Sequence, residues 1–67
     1  MGIEDKTIQE TLAYEVITTI KGKARISTVK GLYERYLTYL ISLRGEFDKD
    51  LYYMVNDEYQ EFKRRQK

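Results

Sequence analysis

The chain has 67 residues, no Cys, no His and no Pro, and 12 basic against 11 acidic side chains for a formal charge of +1. That length allows one domain, burying about 60% of the surface its unfolded chain exposes, and the missing Cys and His exclude disulfides and a zinc site of the usual kind. What remains to stabilise it is well-packed helices or self-association, and the near-neutral charge gives no global pull toward nucleic acid or an anionic membrane.

Seven Tyr and two Phe are too much apolar area for a disordered segment. No apolar run approaches the roughly 20 residues of a membrane span; the longest, Tyr36 to Leu43, is interrupted by Thr38 and Ser42. The start, Met1 to Asp5, lacks the basic and apolar stretches of a signal peptide. A cytoplasmic protein with no membrane partner is expected.

Gly22 and Gly45 divide the chain into three segments with helical periodicity. The first, Lys6 to Ile20, places Ile8, Leu12, Ala13, Val16, Ile17 and Ile20 on one face, with Asp5 as N-cap and Gly22 at a left-handed C-cap. Val16 to Ile20 are all β-branched, however, which favours a strand. Lys21-Gly22-Lys23 then becomes a hairpin turn between Tyr14–Ile20 and Ala24–Val29.

The second segment, Thr28 to Leu43, has Ser27 as its N-cap candidate and Gly45 just past its end. Its apolar residues, Val29 through Leu43, cover an arc of about 200°, twice the stripe of a surface helix. Such a helix wants cover on two sides, and the second side is expected to be another chain. The third segment, Lys49 to Arg65, is capped by Asp48 and stapled by Phe47, with Leu51, Tyr52, Met54, Val55, Tyr59 and Phe62 on one face and Tyr53 pointing away. The expected fold is all-α, a compact three-helix bundle over residues 1–67. The alternative is a short β-hairpin at about 14–29 followed by a helical hairpin.

The chemistry-bearing residues point away from catalysis. No imidazole or thiol is present, and Ser27 and Ser42 have no activating base of the ordinary kind. Glu46, Asp48 and Asp50 suit a helix N-terminus, and Glu61 with Arg65 makes an i,i+4 pair. The Asp-Lys-Asp at 48–50 lacks the rest of a calcium loop, and Gly22-Lys23 lacks the rest of a phosphate loop. No catalytic residue, metal ligand, cofactor or small-molecule substrate is assigned, and an enzyme is not expected.

Two features suggest a macromolecular partner. The Tyr-rich second segment offers Tyr33, Tyr36, Tyr39, Leu40 and Leu43 as a protein interface, because Tyr is enriched at binding hot spots. A basic stretch, Lys21, Lys23, Arg25 and Lys30, runs with no acid between Glu15 and Glu34. With Arg35 it is a candidate nucleic-acid contact, and Ile26-Ser27-Thr28-Val29 with Leu32 partly echoes the recognition helix of a helix-turn-helix. The leading expectation is a regulatory or adaptor module that works through protein–protein contacts and forms a homo-oligomer. The alternative is a DNA-binding transcriptional regulator of helix-turn-helix-like type.

Overall fold

The structure, a computed structural model, describes residues 3–66, with side chains from Lys6 onward. It is the three-helix bundle: α1 Ile3–Lys21, α2 Ile26–Ser42 and α3 Lys49–Arg65, with no strand among the described residues. The hairpin alternative is not formed. Residues Val16 to Ile20 are helical because Val16, Ile17 and Ile20 all fall on the buried face, where packing outweighs β propensity. Of the two threonines between them, Thr19 donates its hydroxyl to the Glu15 carbonyl at 2.6 Å, so its side chain is satisfied within the helix.

The core takes one stripe from each helix. α1 gives Ala13, Val16, Ile17 and Ile20; α2 gives Val29, Tyr33, Tyr36 and Leu40; α3 gives Leu51, Val55, Tyr59 and Phe62. Spacings of three and four residues keep each stripe on one face. Ile8, expected inside, is 42% exposed, and Gln9 takes the buried position at 1%. The reason is long-range: Gln9 Oε1 accepts the backbone N–H of Asp48 at 2.8 Å, so the amide satisfies a donor at the start of α3.

The helices run up, down and up. The Gln9–Asp48 bond joins the starts of α1 and α3, which are therefore parallel. Tyr33 stacks on Tyr59 with centroids 4.0 Å apart, setting the middle of α2 against the later half of α3. Along α1, Thr18 and Thr19 share a groove with Leu32, while Ile8 and Leu12 share one with Thr38, Tyr39 and Ser42. α1 and α2 thus lie antiparallel over most of their length. The result is a rod with Cα extents of 39 × 16 × 16 Å.

The helix ends follow local chemistry, with some shifts from expectation. Asp48 caps α3, its side chain accepting from Leu51 N–H at 3.1 Å. Phe47 packs edge-on to Tyr52 at 5.9 Å, a hydrophobic staple across that cap. α2 begins two residues early, with Arg25 at its N-cap and no side-chain capping bond, so Ser27 lies exposed in the first turn. α1 begins at Ile3, which makes the backbone at Asp5 helical rather than capping; its side chain lies outside the described residues.

The left-handed residue closing α1 is Lys23, with φ of 58°, and not Gly22. Ala24 N–H reaches Thr19 O at 3.2 Å and Lys23 N–H reaches Ile20 O at 3.1 Å, the two bonds of a Schellman cap. α2 closes through Arg44 and Gly45, at φ of 53° and 88°. Met54, expected on the inner face of α3, is 42% exposed, and Glu61 pairs with Arg64 rather than Arg65.

Candidate functional site

The five proposed interface residues of α2 separate into two groups. Tyr33, Tyr36 and Leu40 are 7%, 0% and 3% exposed. They are covered by the chain's own helices and present no surface to a partner while the bundle is folded. Tyr39 and Leu43 are half-buried on one flank of the stripe, and Tyr39 lines the α1–α2 groove with Ile8 and Leu12.

The buried tyrosines have unequal surroundings. Tyr33 donates its hydroxyl to Asn56 Oδ1 at 2.6 Å, whereas the Tyr36 hydroxyl is buried with no hydrogen-bond partner among the described residues. Burial pushes both phenols up to about 12; the next-largest influence is Tyr52 for Tyr33 and the Asp48 carboxylate for Tyr36. Tyr59 is raised too, by burial and then by Glu34. All three stay protonated at neutral pH, so they serve as packed rings and not as bases.

The opposite flank of α2 carries a surface that the reading of the sequence leaves out. Ile41 is 77% exposed and stands on the rim of an apolar hollow of about 260 Å³ lined by Leu37, Leu40, Gly45, Phe47 and Tyr52. Tyr52 extends the patch to Tyr53, 59% exposed, with ring centroids 5.6 Å apart. Leu37, Phe47 and Tyr52 pack against the edge of the core and stay half-covered there. A signal is present in the sequence: at 100° per residue, Ile41 falls roughly 110° from the centre of the Val29–Tyr33–Tyr36–Leu40 stripe.

The basic residues gather at the other end of the rod. Lys21, Lys23, Arg25 and Lys30 are all exposed around the α1–α2 turn. Arg35 is exposed but lines the α1–α2 groove, about 15 Å along α2 from Arg25 at 1.5 Å per residue, and does not join them. The fold adds Lys63, Arg64 and Arg65, the last turn of α3, which the parallel register of α1 and α3 brings to this end. A helix-turn-helix sets its helices at about 90–120°; α1 and α2 instead lie alongside one another, so the echo of that motif in residues 26–32 does not correspond to its geometry. Among the described residues no three acidic side chains gather in a way that could hold a metal ion, and no helix is long and apolar enough to cross a membrane.

No family model, no curated protein and no solved structure matches this chain.

Proposed function

We propose that this chain is a non-enzymatic regulatory or adaptor module that works by protein–protein contact and pairs with a second copy of itself through the α2–α3 end. The observation that supports this reading is the placement of Ile41, a projecting apolar side chain beside an apolar hollow on the same face. A two-fold pairing is self-complementary. It would seat each Ile41 in the other copy's hollow, against Phe47 and Tyr52. The exposed residues close to the hollow's lining in sequence carry both signs, Arg44 and Lys49 with Glu46 and Asp50, so opposite charges can meet across the two-fold where a single sign would repel. A domain of this size also gains more than a large one from added apolar burial.

The test is light scattering of the wild type and of Ile41→Lys. Lysine near the C-terminus of α2 is compatible with the helix dipole, and position 41 is outside the core, so the monomer fold should be unaffected. The wild type is expected at twice the 8.1 kDa chain mass, and the variant at the single-chain mass with pairing weakened roughly a hundredfold or more by the unpaired charge. A wild type that stays monomeric at millimolar concentration, or a variant that still pairs, rules the reading out.

A further inference from the structure

We infer that the basic end of the bundle is a sequence-independent contact for the phosphate backbone of duplex DNA. Three segments far apart in sequence supply it: the end of α1 with Lys21 and Lys23, the start of α2 with Arg25 and Lys30, and the last turn of α3 with Lys63, Arg64 and Arg65. Their convergence follows from the packing. The stacked Tyr33–Tyr59 pair fixes α2 against α3, and going from it toward this end passes Val29 and Phe62 of the core to reach Arg25 and Arg65.

Among the described residues, seven cations gather at this end against two nearby acids, Glu61 and Glu34, the latter one turn along α2 from Lys30 and bearing on Tyr59, the ring beneath Lys63. Glu61 is paired to Arg64, while Asp57 and Glu58 lie a turn or more back along α3. Helix dipoles account for cations at the ends of α1 and α3, since positive charge suits a C-terminus. They do not account for α2, whose N-terminus lies at the same end with no acid in its first turn. The N-cap Arg25 therefore stands against its own helix's dipole, while Lys30, the fifth residue of α2, lies beyond the first turn where that dipole acts.

The chemistry of this end selects among polyanions. Single-stranded nucleic acid is held largely by exposed aromatic platforms, and the exposed tyrosines, Tyr14 and Tyr53, belong to the middle of α1 and to the part of α3 remote from this end. An anionic membrane surface calls for an apolar face to insert, and among the described residues Ile26, 40% exposed, is the one large apolar side chain that stands out near the α1–α2 turn. A rod 16 Å across at its Cα atoms is broader than the ~12 Å major groove. It would bridge the phosphate rows on either side and leave the base edges unread.

The test is fluorescence anisotropy with an arbitrary 20-base-pair duplex, a single strand of the same length and vesicles with phosphatidylserine, at 50 and 200 mM salt. About five phosphate contacts give a log–log salt slope near −4.5, a loss of about 500-fold in affinity over that range. The variant Lys63→Gln/Arg64→Gln/Arg65→Gln should lower the slope by about 2 to 3 and weaken binding at 50 mM by tenfold or more. Lys6→Glu/Arg35→Gln removes the same net charge elsewhere and should bind the duplex within about threefold of wild type. Circular dichroism checks that both variants keep their helices. No binding at 50 mM salt, equal losses in the two variants, or tighter binding to the single strand or the vesicles than to the duplex would each overturn the assignment.

Discussion

Removing one oxygen atom from each of two neighbouring tyrosines should change stability in opposite directions. Tyr36 is 0% exposed and its hydroxyl has no partner among the described residues. Folding strips that group of water without replacing the bond, at a cost of about 1–3 kcal/mol. Tyr36→Phe keeps the ring and its packing and removes the orphaned oxygen. It is expected to stabilise the bundle by about 1 kcal/mol, raising Tm by about 4–8 °C for a domain of this size.

Tyr33→Phe removes the same atom from a hydroxyl that donates to Asn56 Oδ1 at 2.6 Å, leaving Asn56 with the longer 3.4 Å contact from Gln60 Nε2. That change is expected to destabilise by about 1 kcal/mol. Urea unfolding followed by circular dichroism reads both, and the slopes should be unchanged so that the midpoints carry the difference. If Tyr36→Phe loses as much stability as Tyr33→Phe, the Tyr36 hydroxyl has a partner and the reasoning fails.

The other predictions concern pH and backbone. Tyr33 and Tyr36 are raised from 10.0 to about 12, so their contribution is complete below pH 10 and is lost as pH rises from 10 toward 12, by roughly 2 kcal/mol each. Helicity should therefore melt cooperatively in that window, and unfolding free energy that stays flat from pH 9 to 12 would contradict the buried, protonated state. Lys23 holds a left-handed conformation with φ of 58°, so Lys23→Gly should raise the urea midpoint by an amount equivalent to about 0.5–1 kcal/mol. Gly31 lies inside α2, and a Cβ added there would meet nothing within 4 Å. Gly31→Ala should add a similar amount through helix propensity; a fall in stability there would reveal a contact that the folded chain does not otherwise show.

The helices themselves were legible because caps and periodicity agree. α3 runs from Lys49 to Arg65 as expected, since Asp48 and Phe47 mark its start with both a cap and a staple. α1 was ambiguous because β-branching and helical phase pointed in different directions; burial of Val16, Ile17 and Ile20 resolved it. Gln9 could not be anticipated, as its role depends on a backbone group 39 residues away.

The wide apolar arc of α2 had the same limitation. Periodicity placed Tyr33, Tyr36 and Leu40 on it but could not divide the arc between the chain's own core and a partner. The packing takes the central stripe inside and leaves Ile41 exposed. Charge was legible only locally. The stretch from Lys21 to Lys30 was visible in the chain, but its union with Lys63, Arg64 and Arg65 depends on the up-down-up order of the helices.

In the proposed pairing, the bundle completes its apolar burial by seating Ile41 of one copy in the hollow of another. An isotope-filtered NOE experiment on a mixture of labelled and unlabelled chains at millimolar concentration tests it at the atoms concerned. Intermolecular contacts are expected from the Ile41 methyl groups to the rings of Phe47 and Tyr52. Absence of any intermolecular NOE, or contacts that fall instead on Ile8, Leu12 and Tyr39 along the α1–α2 groove, would contradict it.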